Sequence, residues 1–141
     1  MIVLDTNVIS EIMRPAPDAG VQAWLAEQDP LELATTTITI AEIQRGIVRL
    51  PNGQRRKNLE QRFMAFVEDA FPGRVLTFDR DSAFACGEVS AARGRKGLHA
   101  DAVDMMIAAI VKIAEATLAT RNTRDFEQCG IALLDPWQTE G

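Results

Sequence analysis

The chain has 141 residues, 47% of them hydrophobic and 25% charged, which suits one domain with a sizeable core. Its net charge of −5 argues against general nucleic-acid binding, and no apolar run has the length of a membrane span. A single histidine, His99, excludes a histidine-rich metal site and argues against a Ser-His-Asp triad, and the two cysteines, Cys86 and Cys129, lack metal-ligand spacing. The N-terminus has neither the basic stretch nor the cleavage site of a signal peptide, so a cytoplasmic protein without a disulfide is expected.

The opening Met1-Ile2-Val3-Leu4 is a short apolar run suited to a strand buried on both faces. It ends at Asp5-Thr6-Asn7, after which Val8, Ile9, Ile12 and Met13 recur with helical spacing until Pro15 and Pro17. Val21, Trp24 and Leu25 mark a second helix closed by Asp29-Pro30, and 31–37 reads as a strand. Thr39 and Glu42 have capping-box spacing at the start of a helix carrying Ile40, Ile43 and Ile47. Pro51-Asn52-Gly53 breaks it, and a long amphipathic helix through Leu59, Phe63 and Phe66 runs to Pro72-Gly73.

Residues 75–78 form a third strand, and Asp79 or Asp81 caps a helix reaching about Arg93. A Gly94-Arg95-Lys96-Gly97 loop leads to a helix with Val103, Met106, Ile107, Ile110 and Val111 on its core face. A fourth strand over 117–120, a helical turn around Phe126 and a fifth strand over 131–134 complete the chain. Short apolar strands alternating with helices predict an α/β fold: a three-layer sandwich with a central parallel sheet of about five strands, formed by 1–141 as one domain.

Four acids stand where such a fold brings side chains together. Asp5 directly follows the first strand and Asp125 lies just past the fourth, and ligands of parallel sheets bind beyond those strand ends. Glu42 reads equally as a cap or a ligand, and Asp104, beside Asp101, complements a helix dipole on a turn with buried neighbours. In the loop after the fourth strand either Asp125 or Asn122 reaches the site. Gathered carboxylates repel one another unless a cation neutralises them, so such a set points to a hard divalent metal and phosphate chemistry. Two basic clusters, one from Arg45 to Arg62 and one of Arg93, Arg95 and Lys96, read as solvated faces or as RNA contacts.

Together, Leu4-Asp5-Thr6-Asn7, Ala41-Glu42-Ile43, Asp104-Met105-Met106-Ile107-Ala108-Ala109, Ala119-Thr120-Arg121-Asn122 and Asp135-Pro136-Trp137 resemble PIN domains, specifically VapC-type toxins including the FitB-like branch. The resemblance spans nearly the whole chain. It implies an endoribonuclease dependent on Mg²⁺ or Mn²⁺ that cleaves structured RNA such as tRNA. Asp5, Glu42 and Asp104 correspond to its metal-binding acids, and Asn122 stands where many relatives carry an aspartate, with Asp125 nearby. Thr6, Asn7 and Thr120 fall at supporting positions, and Arg45, Arg93, Arg95 and Lys96 are candidates for the RNA backbone. The resemblance also implies a homodimer held inactive by an antitoxin of the VapB or FitA kind, which alone contacts DNA. Apolar helices around Val21, Trp24 and Leu25, or Phe63 and Phe66, are candidate partner surfaces.

Other readings are weaker. A haloacid-dehalogenase-like phosphatase uses a second aspartate where Asn7 stands, and a receiver-like module carries a lysine where Arg121 stands. A catalytically inactive PIN-like module acting through a partner is the remaining alternative.

Overall fold

The computed structural model describes residues 1–138. Five parallel strands form one sheet in the order β3-β2-β1-β4-β5. They are β1 (Ile2–Leu4), β2 (Leu33–Thr36), β3 (Val75–Leu76), β4 (Thr117–Ala119) and β5 (Ala132–Leu134). The helices are α1 (Thr6–Ile12), α2 (Ala19–Ala26), α3 (Thr37–Val48), α4 (Gln54–Ala70), α5 (Arg80–Arg95) and α6 (Ala102–Ile113). Two 3₁₀ turns, Pro30–Glu32 and Thr123–Phe126, complete the described elements.

The period-2 geometry of strands divides the core into two layers. Val3, Ala34 and Leu118 face one side, packed with Val89, Met105, Ile107 and Phe126. Leu4, Leu33 and Ala119 face the other, packed with Val8, Ile9, Trp24, Ile47, Phe63 and Phe71. Helices α5 and α6 therefore cover one face, while α1, α2, α3 and α4 cover most of the other. Right-handed crossovers require this segregation, because the chain steps outward from β1 in one direction to β2 and β3 and in the other to β4 and β5. The reversal falls between β1 and β4, paired in register as Val3 with Leu118 and Leu4 with Ala119. A crevice at the carboxyl ends of those two strands is the switch point where such sheets bind ligands.

Several expected boundaries shift for local reasons. The strand expected over 31–37 begins at Leu33, since Asp29 accepts the Leu31 N–H at 3.0 Å and winds Pro30–Glu32 into a 3₁₀ turn. The helix expected to end at Arg93 continues through Arg95 and stops only where Gly97 takes a φ of 72°, with the Leu98 N–H on the Arg93 carbonyl at 3.0 Å. Asp79, not Asp81, is its cap, accepting from the Ser82 N–H at 2.9 Å.

The capping box expected of Thr39 and Glu42 is not formed. Helix α3 starts earlier, and its N-cap is Thr36, whose hydroxyl oxygen accepts the Thr39 N–H at 3.0 Å. Glu42 then lies too far along the helix to cap it. Thr36→Ala is expected to cost about 1 kcal/mol, the usual worth of an N-cap, whereas Glu42→Gln leaves the cap intact. Urea melts of both variants check this, and equal losses would contradict it.

Candidate active site

Asp5 is the first residue beyond β1 and the N-cap of α1. Its Oδ1 accepts the Thr6 N–H at 2.8 Å, and its Oδ2 accepts the Thr120 hydroxyl at 2.9 Å. Only 5% of Asp5 is exposed and Thr120 is fully buried, so this carboxylate is held by two donors at the switch point. The Thr120 oxygen in turn accepts from Asn7 Nδ2 at 3.2 Å and from the Asn122 N–H at 3.1 Å. Asn7 Oδ1 receives the Arg121 N–H at 3.2 Å, which ties the turn after β1 to the turn after β4. On the other flank, Thr6 donates its hydroxyl to Glu42 Oε1 at 2.6 Å. Freed of a capping role, Glu42 has this short bond to the neighbouring turn as its attachment.

Asp104 occupies the first turn of α6, where its N–H donates to Asp101 Oδ2 at 3.0 Å. Burial, followed by the charges of Asp101, Asp5, Asp125 and Glu42, pushes its carboxyl up to about 7. Asp5 is also raised. Burial is the largest cause, opposed by the bonds from Thr6 and Thr120 and assisted by the charges of Glu42 and Asp125. Asp5 and Asp104 thus both lie in the field of Glu42 and Asp125, and no lysine or arginine among the described residues forms an ion pair with any of the four.

Asp101, which the sequence marks only as the neighbour of Asp104, caps α6 and exerts the largest charge effect on Asp104. Its spacing of three residues from Asp104, that of an N-cap and the N–H it accepts, was the available signal. Asp125 is exposed in the Thr123–Phe126 turn, and its charge acts on both Asp5 and Asp104. Asn122 contributes its backbone N–H to the network, and its side chain caps nothing.

The basic candidates divide. Arg45, Arg95 and Lys96 are exposed, at the last turn of α3 and the end of α5. Arg93 is not available to a ligand: it is 4% exposed, and its guanidinium donates to the carbonyls of His99 at 2.8 Å, Arg124 at 3.2 Å and Glu127 at 2.6 Å. These acceptors flank Asp125 and the approach to α6, so Arg93 fastens the turn carrying one acid to the segment leading to another.

Of the residues expected at partner surfaces, Val21, Trp24 and Phe63 are buried in the core, while Leu25 and Phe66 are partly buried against it. An open apolar groove of about 890 Å³ lies between α1, α3 and α4. Its lining includes Met13, Ile43, Ile47, Leu50 and Leu59, with Arg14, Arg55 and Arg62 beside them, and Thr6 and Glu42 are shared with the acidic site.

Among the described residues, no three carboxylate, histidine or cysteine side chains form a preassembled metal cage. The donor set nevertheless fits a hard divalent cation. All its members are oxygen ligands, they share one unneutralised field, and Mg²⁺ typically keeps several waters and uses only one or two carboxylates.

The PIN domain family profile matches residues 2–131. The chain is 39% identical over 138 residues to the plasmid stability protein StbB of Pseudomonas syringae pv. tomato, covering 98% of this chain and 99% of that protein. It is 38% identical over 138 residues to the VapC ribonuclease Y4jK of Sinorhizobium fredii, again covering 98% and 99%. The structure of FitAB bound to an IR36 DNA fragment superposes with a TM-score of 0.93 at 36% identity, over 100% of this chain and 99% of that one. With the family profile matched over residues 2–131 and near full-length similarity at up to 39% identity, the chain belongs to the PIN-domain family.

Proposed function

We propose that this protein is a metal-dependent endoribonuclease, the toxin of a type II toxin–antitoxin pair, cleaving phosphodiester bonds in structured RNA such as tRNA. The observation that carries this reading is the set of uncompensated acids at the β1–β4 switch point, with Asp104 pushed up to about 7. Placing so many carboxylates there disfavours the empty site and favours one holding a cation beside a phosphate.

In this reading Asp5, Glu42 and Asp104 would hold Mg²⁺ or Mn²⁺, one or two of them directly and the rest through its waters, and Asp125 would complete the acidic rim. Bound there, the cation supplies an activated water and stabilises the departing oxygen. Thr120 and the Thr6 N–H fix the Asp5 carboxylate, leaving its remaining lone pairs for the site. Thr6 orients Glu42 from the same turn, so one short segment sets two ligands. Asn7 locks the two strand-end turns together, and Asn122 adds its N–H to Thr120. Arg45, Arg95 and Lys96 meet the RNA backbone from outside the acidic centre.

The groove that shares Thr6 and Glu42 with this site suits a cognate antitoxin, which would cover the acids as it fills the apolar lining. The likeness to the structure of FitAB bound to an IR36 DNA fragment supports an assembly with an antitoxin. In the proposed assembly DNA is reached through the antitoxin, and the toxin is a cytoplasmic homodimer. The same groove favours the competing reading, a catalytically inactive PIN-like module working only through its partner.

Total RNA incubated with the purified protein and Mg²⁺, Mn²⁺ or EDTA, followed by mapping of new ends, separates the two. Discrete cleavages with metal, absent with EDTA and with Asp5→Asn, are expected. RNA left intact under every condition by freshly isolated, antitoxin-free protein would leave the binding module as the better description.

A further inference from the structure

Arg121 stands one residue beyond Thr120, whose hydroxyl holds Asp5. Its own N–H is fastened to Asn7 Oδ1 at 3.2 Å, so its backbone is part of the switch-point network. Its side chain is exposed. Among the described residues it forms no ion pair, and its charge is not among the influences on Asp5 or Asp104.

The guanidinium instead lies over the indole of Trp137, 5.0 Å from the ring centroid. Trp137 follows β5, at the same edge of the sheet. The ring packs on the Leu4 and Ala119 layer of the core, and the backbone N–H of Trp137 donates to Asp135 Oδ1 at 2.9 Å. The platform is therefore held through its ring and through its backbone. Stacking occupies only the face of a guanidinium; its N–H donors point outward in the plane, in a fork that matches a phosphate. Among the described residues no acceptor meets that fork. An exposed cation–π contact is worth about as much as an exposed ion pair, so the stack suffices to hold the guanidinium on the indole.

We propose that Arg121, braced on Trp137, binds a backbone phosphate of the RNA beside the cleaved bond, on the β4–β5 flank of the site. This rests on the ribonuclease reading and extends it: the apolar groove opens on the α1–α3 flank, so substrate and antitoxin approach the acids from different sides. Arg121 contacts a non-reacting phosphate. Trp137 is a positioning residue acting through it.

Fluorescence anisotropy with labelled bulk bacterial tRNA, in EDTA and across a NaCl series, tests this directly. Arg121→Ala is expected to weaken binding about 10-fold at low salt and to flatten the slope of log K against log salt by about 0.7–0.9, the share of one phosphate contact in RNA that has single- and double-stranded parts. Arg121→Lys should restore the slope but not the full affinity, and Trp137→Leu should weaken binding while Trp137→Phe largely keeps it. In cleavage assays Arg121→Ala should raise KM more than it lowers kcat, with an unchanged melting temperature. Wild-type affinity and slope in Arg121→Ala would overturn the assignment while leaving the ribonuclease reading intact. Wild-type affinity in Trp137→Leu would overturn the bracing. Failure of the unaltered protein to bind tRNA would overturn this inference, whereas the ribonuclease reading stands or falls with the cleavage of total RNA.

Discussion

Asp104→Asn is expected to abolish RNA cleavage, by a factor on the order of 10² to 10³ or more, and at the same time to make the protein more stable at pH 8. Both effects come from one cause. The carboxyl at position 104 is raised from 3.8 to about 7 by burial and by the charges of Asp101, Asp5, Asp125 and Glu42. Between those two values the folded protein holds a proton that the unfolded chain has released. Stability therefore falls as pH rises through this window, and the full loss is carried above about 7.

Asparagine is neutral throughout, so the variant should lack that part of the pH slope. The gain at pH 8 is expected to be about 1–2 kcal/mol, because a partly exposed carboxyl realises only a share of the 1.36 kcal/mol per pKa unit. Urea melts at pH 5 and pH 8 read the difference. Adding Mg²⁺ at pH 8 should raise the melting temperature of the unaltered protein more than that of the variant, since the cation stabilises the ionised site it binds. A variant that melts like the original at both pH values, with and without Mg²⁺, would refute the shared field.

Arg93→Ala is expected to destabilise the fold by about 3 kcal/mol, because buried acceptors left without a donor each cost about 1–3 kcal/mol. The residue serves the carbonyls of His99, Arg124 and Glu127 with one planar fork. Lysine keeps the charge but not the fork, so Arg93→Lys should recover less than half of the loss. Hydrogen exchange at the Asp125 amide, which bonds the Asn122 carbonyl at 3.0 Å, should quicken in both variants as the turn loosens. Urea midpoints identical to the original would show that these carbonyls find water at no cost.

The two variants illustrate different degrees of legibility. Asp104 was visible because its motif and its buried neighbours are local, within one helical turn. Arg93 was misread because arginine beside Gly94, Arg95 and Lys96 has the composition of an exposed basic loop. What buries it is contact with carbonyls 31 and 34 residues away. Glu42 was ambiguous for a related reason. Its spacing from Thr39 imitates a capping box, and the choice between cap and site depended on whether the helix began at Thr36 or Thr39.

By itself the sequence determined the elements and their order, since strand and helix patterns arise from short-range periodicity and from the turn residues that punctuate it. It also placed Asp5 and Asp125 beyond strand ends, because an abrupt change from apolar to polar residues marks where a buried strand stops. Only the tertiary structure decided how those ends are joined. The bond from Thr120 to Asp5 spans 115 residues, that from Asn7 to Thr120 spans 113, and that from Thr6 to Glu42 spans 36. Such pairings depend on strand order, with β4 beside β1 rather than beside β3. The raised carboxyl of Asp104 is likewise a property of the assembled field, created when burial and four other acids act on one side chain.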